Sequence, residues 1–338
     1  MSGWELEASE RDAILERDVL PLVFQDSTHR EDSPSLTLLA GQPGAPRPRA
    51  ARALVVDHGQ VPAVVGAEKL RAFHPRFAEL STGSTAEALD GVTRATAAWM
   101  RDCIRYAREK RRSLVLEGAF QDPAVAIETT ERFAAAGFQT RVVVVASRRA
   151  ESLLSVASLY LSNVHAGKLA RLVSREAHDR AFEATRALAE ATVNSASVSR
   201  LTVIGRDGNS VFDAHRADGD AAFVGGVEAL EAQQSARLSR LDATQWLSEL
   251  HHMTDFAMTR RDLPREAIQH LVELHEVALR EVIPELHVPS DGKFISAIEQ
   301  KTVTKLGDLQ RSLPREEVID LAAPVVTPVG PERGGISR

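Results

Sequence analysis

Residues 41–54 read GQPGAPRPRAARAL, glycines and arginines interleaved with prolines directly after a short apolar run at Leu36, Leu38 and Leu39. A glycine turn followed by good helix formers is the layout of a loop that holds phosphate, because backbone N–H groups at a helix start face an anion. A working loop of this kind reads G-x-x-x-x-G-K-[ST], with the Lys neutralising the transferring phosphoryl group and the hydroxyl holding Mg²⁺. Here Gly41 matches the first glycine, whereas Pro46, Arg47 and Pro48 stand where the second Gly, the Lys and the Ser/Thr belong. Proline has no N–H, so the cradle lacks a donor at Pro46 and at Pro48, and Pro48 offers no oxygen to a metal. The candidate phosphate contacts are therefore Gly41, Gln42, Gly44, Ala45, Arg47 and Arg49. Arg52 completes a basic cluster at a helix start that already favours anions.

A second candidate is Glu117, which closes the apolar run Leu114-Val115-Leu116. In an open parallel sheet ligands bind beyond the carboxyl ends of the strands, so a carboxylate there is a candidate for chemistry. Other constellations have structural readings. His251, His252, His270, His275 and His287 could hold metal, yet His270 and His275 are five apart, on different faces of a helix, so no metal site is expected. Trp246, Met253, Phe256 and Met258 fall at helical spacing and read as core. The basic run at residues 108–112 reads as an exposed helix end that complements the helix dipole.

Alternating elements must position these residues. Residues 4–24 have the pattern of one or two amphipathic helices, and a polar loop at 25–32 leads to a strand at Leu36. After the loop helix come a turn at 57–60 and a short strand at 61–65, with Pro62 at its start. Residues 85–110 carry a 3.6-residue period, 113–118 form a strand, 123–136 a helix closed by Gly137, and 140–146 (TRVVVVA) a central strand. A strand at 201–204 turns through 206–209 into a short partner at 210–212. The alternation predicts an α/β fold with a doubly wound parallel sheet. From about residue 216 the chain turns helical, with helices at 228–241, 242–258 and 264–283, the second opening on an Asp242 to Gln245 capping box. The expected division is a helical lead-in (1–32), a core (33–215), a helical C-terminal region (216–321) and a Pro/Gly-rich tail (322–338) with the composition of a disordered segment.

The 338 residues suffice for one large α/β domain plus an accessory region, and 43% hydrophobic content is ordinary for a soluble protein. A formal charge of -6 argues against a general nucleic-acid binder. Cys103, the single cysteine, excludes a disulfide framework and reads as a buried small hydrophobe. The N-terminus lacks an apolar signal core and nothing approaches ~18 uninterrupted apolar residues, so a cytoplasmic protein without a membrane partner is expected.

GQPGA (41–45), HPRF (74–77), VLEGAFQDP (115–123), RLVSREAHD (171–179) and VIGRDGNSVF (203–212) together resemble the bacterial zeta toxins, P-loop kinases that phosphorylate UDP-N-acetylglucosamine. The resemblance runs in order from about Glu16 to Phe212 and implies a P-loop kinase core, ATP as cofactor and an antitoxin-like protein partner. The family's D-x-D before His-Pro falls on Gly66, Ala67 and Glu68, so the resemblance makes Glu68 the surviving general-base candidate. Its E-G-T and following Arg become Glu117-Gly118-Ala119 and Gln121, and the arginine before its Tyr becomes Leu159 before Tyr160. Arg171 matches the arginine of the segment that ends in Ala-His-Asp.

Phosphoryl transfer depends on positioning and charge neutralisation, and one missing arginine of this kind changes the rate by roughly 10³ to 10⁵. The sequence therefore reads as a zeta-toxin-like nucleotide-binding protein whose transfer to a nucleotide sugar is weak or lost, a pseudokinase binding or regulatory module. Mg²⁺ is doubtful for want of a ligand at Pro48. The alternative is an active kinase of the UDP-N-acetylglucosamine type, using Glu68, Glu117 and Arg171.

Overall fold

The computed structural model describes residues 4–24, 31–57, 62–81, 86–168, 170–219, 221–286 and 293–313. Residues 314–338, with the tail, lie outside them, as do 58–61, most of the 25–32 loop, Thr85 and His287. The chain enters through α1 (Ala8–Ile14), a π turn at Leu15–Val19 and α2 (Leu20–Val23). There follow β1 (Ser35–Ala40), α3 (Arg47–Asp57), β2 (Ala63–Gly66), α4 (Ala67–Arg71), α5 (Ala86–Lys110), β3 (Leu114–Gly118) and α6 (Pro123–Ala135). Then come β4 (Gln139–Val145), α7 (Arg149–His165), α8 (Arg175–Val193), β5 (Arg200–Ile204) and β6 (Ser210–His215). The helices α9 (Val224–Ser235), α10 (Arg240–Met258), α11 (Arg265–Val277) and α12 (Lys293–Ser312) complete the order.

One six-stranded sheet runs β2-β3-β1-β4-β5-β6, parallel except for the antiparallel edge strand β6. Both faces are covered, which is why β1 and β4 read as nearly continuous apolar runs. Leu36, Leu38, Val142 and Val144 pack with Trp99 of α5 and Phe133 of α6 on one face. Leu39, Val143 and Val145 pack on Ala50, Ala51 and Leu54 of α3 on the other. The strand order reverses at β1, whose neighbours are β3 and β4, and such a switch point opens a crevice at the strand ends. Register places Gly66, Glu117 and Gly118 at that carboxyl edge, with Leu39 opposite Glu117 and Ala40 opposite Gly118.

A second hydrophobic cluster joins α10, α11 and Leu309 of α12 to one face of α7, including Leu153, Leu154, Ala157, Tyr160 and Leu161. Among the described residues no helix is long and apolar enough to cross a membrane. Cys103 is fully buried in the sheet core, and burial pushes its thiol up to about 12.

Several boundaries differ from the sequence expectation. The helix expected from Asp242 begins at Arg240, because the Ser239 hydroxyl accepts the Asp242 N–H and replaces the Asp242 to Gln245 box. The preceding helix stops at Ser235, leaving a break where a continuous helix to residue 241 was expected. After Val277 the backbone widens to a π turn at Ala278–Val282 and tightens to a 3-10 turn at Ile283–Leu286, around Pro284, which cannot donate to a continuing ladder. The basic run is only partly an exposed helix end. Arg111 turns the chain at φ 53° and its guanidinium donates to the carbonyls of Ala136 and Asp32, while Arg112 is buried against Glu31. Met253 and Trp246 are core as expected, but Met258 at the end of α10 is exposed.

Candidate functional site

The loop after β1 is fixed by its own polar atoms. The Gly41 N–H donates to the Gly118 carbonyl, tying the loop to the end of β3. Gln42 is fully buried, and its amide donates to the Ser147 carbonyl (3.0 Å) and the Ser152 hydroxyl (3.2 Å) at the start of α7. Gly44 adopts φ 81°, and a Cβ there would stand 2.1 Å from the Ser152 carbonyl oxygen, so the position requires glycine twice over. Ser152 in turn meets His178 Nε2 at 2.8 Å, and His178 Nδ1 lies 3.0 Å from Asp179. The carboxylate fixes Nδ1 as the donor, leaving Nε2 to accept from the serine hydroxyl. Burial lowers the His178 pKa against the opposing pull of Asp179, which favours the neutral ring. Asp179 takes a bidentate pair from Arg149, which also reaches Glu273 of α11 at 3.0 Å.

The loop's N–H groups are mostly not available to phosphate. Pro43, Pro46 and Pro48 leave six between residues 41 and 49, and four already donate to protein carbonyls: Gly41 to Gly118, Ala45 to Gln42, Arg47 to Ala45 and Arg49 to Pro46. The cradle is thus poorer than the two prolines at 46 and 48 alone imply. Mg²⁺ does not fit the loop either, since Pro48 presents no hydroxyl at the first turn of α3. Among the described residues no three His, Cys, Asp or Glu side chains are placed to hold a metal ion. His251 and His275 stack at 6.0 Å inside the helical region, and His270 Nε2 donates to the Leu153 carbonyl; all three rings are buried.

What the loop end does offer is side-chain charge. The Arg47 stem lies over Gly41, with its Cγ 3.2 Å from where a Cβ would sit. Burial pulls the Arg47 guanidinium below its ordinary pKa, opposed by the carboxylates of Glu117 and then Glu68. Arg71 of α4 is lowered by burial and by the like charge of Arg171, with Glu68 opposing. The Lys69 ammonium sits 3.7 Å from Glu117 Oε2. Arg47, Glu68, Glu117 and Arg171 are thus brought into one group, joined by Lys69 and Arg71. Arg49 goes elsewhere: its stem packs on Gly208 in the β5–β6 turn, beside Asp207. Ala119 and Gln121 follow Glu117 around a bend where Phe120 holds φ 43°, a strained value for a residue with a side chain. Leu159 is 60% exposed on α7.

Sequence reasoning passed over Lys69, Arg71, Ser152 and His178. Three charged residues within 68–71 and the Ala-His-Asp triplet at 177–179 were the available signals. The His74 to Phe77 segment turns away to the lead-in, where His74 stacks on Trp4 at 6.1 Å and the Arg76 guanidinium lies 4.0 Å over the Trp4 ring. A separate cleft of about 370 Å³ lies between the start of α8 and α11. Its Glu176, Glu266, Glu273 and Glu276 outnumber Arg175, a balance that repels phosphate.

Comparison with known proteins bears on the family and the fold. The family model described as Zeta toxin matches residues 22–217, more than half of the chain. Toxin zeta of Enterococcus hirae is 26% identical over 153 residues, covering 45% of this chain and 54% of that protein. The chain therefore matches about half the length of that curated relative. A solved chain from the PezAT chromosomal toxin-antitoxin system of Streptococcus pneumoniae superposes with a TM-score of 0.62 at 16% identity. The match covers 74% of this chain and 98% of that one, and at such identity it establishes a shared P-loop kinase-like α/β fold.

Proposed function

This chain belongs to the zeta toxin family, and from that membership we propose that it is a nucleotide-binding protein whose ATP-dependent phosphotransfer to a nucleotide sugar is weak or lost, acting as a binding or regulatory module. One observation carries the reading. The loop that should cradle phosphate has three prolines, turns four of its six N–H groups onto its own protein, and presents no hydroxyl for Mg²⁺. A triphosphate fits the charges at the loop end better than it fits the loop. Arg47 keeps a positive charge where the lysine belongs, but a planar fork facing Glu117 and Glu68 does not replace a compact ammonium wrapped by backbone N–H groups. The expected result is ATP binding that is indifferent to Mg²⁺, measured by calorimetry with and without the metal, and no turnover with UDP-N-acetylglucosamine. Turnover in the ordinary kinase range, about 1–100 s⁻¹, would overturn the reading.

The active-kinase reading is favoured by a specific observation: Glu68, Glu117 and Arg171 fall in one group with Arg71 and Arg47. On that reading Glu68 is the base for the sugar hydroxyl, Glu117 holds the substrate at the strand end, and Arg171 faces the transferring phosphate. It predicts Mg²⁺-dependent ATP binding and slow transfer to the nucleotide sugar. The structural relative comes from a toxin-antitoxin system, which supports an antitoxin-like protein partner for this chain.

A further inference from the structure

If the loop backbone is occupied with its own protein, an anion at this strand edge must be held by side chains. Arg47 is poorly placed for that, because its stem is folded over Gly41 and its guanidinium is largely buried near two carboxylates. Lys69 is placed differently. It follows Gly66 by three residues in α4, and Gly66 pairs with Glu117 in the sheet, so the ammonium stands over the carboxyl ends of β2 and β3, next to β1 and its loop. Its side chain is 60% exposed and its contact with Glu117 is 3.7 Å, an open ion pair that is cheaply exchanged for a stronger anion. Gly66 is part of the same arrangement. A Cβ there would lie 3.2 Å from Glu117 Oε2, so the missing side chain leaves that oxygen where Lys69 reaches it. Further along α4, Arg71 meets the like charge of Arg171.

We infer that Lys69 is a phosphate-binding residue that delivers from α4 the ammonium missing from the loop, so that the phosphate chain of a nucleotide or other polyphosphate is held by side-chain charge at the strand ends rather than by loop N–H groups. The inference rests on the anion-binding reading of the same site. Lysine suits the task because its ammonium is a compact charge with three donors on a flexible stem, able to swing from Glu117 to a ligand. A clamp built of side chains also needs no Mg²⁺ ligand at Pro48.

The test is calorimetry on the full chain without Mg²⁺, with ATP and with inorganic tripolyphosphate as separate ligands, comparing the wild type with K69M, K69R and K110M. Lys110 ends α5 at the opposite, amino edge of the sheet and serves as a charge control. K69M is expected to weaken binding by about 10-fold or more, the loss of one charge-assisted hydrogen bond, with the melting temperature unchanged because Lys69 is exposed. K69R, which keeps the charge but not the compact ammonium, should lose less than K69M, and K110M should match the wild type. Weakening with both ligands identifies the phosphate chain as what is recognised; weakening with ATP while tripolyphosphate is not bound identifies the nucleotide. A wild type that binds, with K69M binding equally well, overturns the role of Lys69 and leaves the anion-binding reading standing. A wild type that binds neither ligand removes both.

Discussion

At the residue scale the question is what three residues do to the chemistry of the loop. Pro46 and Pro48 each delete an N–H, and Arg47 donates its own N–H to Ala45 while its guanidinium turns to Glu117 and Glu68. Changing Pro46→Gly, Arg47→Lys and Pro48→Thr together restores a donor, an ammonium and a metal ligand in one step. ATP affinity measured by calorimetry should then rise by about 10-fold or more and become Mg²⁺-dependent, since each recovered charge-assisted hydrogen bond contributes about 1.5–3 kcal/mol. Transfer to a sugar should recover less, because Ala119, Gln121 and Leu159 still stand where the family has a threonine and two arginines. An affinity unmoved by the triple change would mean that the pocket is built for another ligand and the kinship is one of fold.

At the scale of elements, buried polar chains join the loop to α7, α8 and the C-terminal helices, and histidines occupy their centres. His251 reaches the Thr302 hydroxyl of α12, and His275 the Thr254 hydroxyl of α10. Burial is the main cause that holds both rings down to about 4, helped for His251 by Lys301 and Lys305 and for His275 by His251 itself. Buried His178 and His270 are lowered in the same direction. Below the ordinary histidine value near 6.5 the unfolded chain takes up protons at these sites, while the folded chain does not until about 4 for the stacked pair. The unfolded state then binds more protons, so stability rises with pH across that window and falls on acidification. Urea unfolding at pH 7 and pH 5 should show the loss, at most on the order of 1 kcal/mol per pH unit for each ring of the stacked pair below about 6.5. Equal urea midpoints at the two values would show that these rings titrate normally.

At the scale of the whole molecule, α7 belongs to two packed units at once. Its first turn carries Ser152 against Gln42 and Gly44 of the loop, and its apolar face, with Leu153, Leu154, Ala157, Tyr160 and Leu161, is covered by α10 and α11. The Arg148 guanidinium adds a bidentate pair to Glu285, which also accepts the Leu238 N–H. Residues 1–215 produced alone would leave that face exposed, a contiguous apolar patch of the kind that drives association. The fragment should be aggregated or oligomeric by size-exclusion chromatography with light scattering, with a melting temperature well below that of the full chain. A monomeric fragment as stable as the full chain would show that the helical region is a detachable addition.

The sequence by itself determined what depends on local chemistry and period. The loop between β1 and α3, the β-branched run that becomes β4, the long helix α5 and the hairpin of β5 and β6 are legible because propensity, burial pattern and turn residues agree there. The loop's departure from the G-x-x-x-x-G-K-[ST] pattern was legible too, since a proline lacks an N–H in any fold. Tertiary structure decided the rest. It sent Arg49 to Gly208 and Arg47 to Glu117, although both flank Pro48 in the same cluster. It brought Lys69 and Arg71 to Glu117 and Arg171 from elements separated in sequence by more than 40 residues, a convergence fixed by strand order and register. Sequence specifies which groups can bear charge; only long-range packing sets the distances over which those charges act.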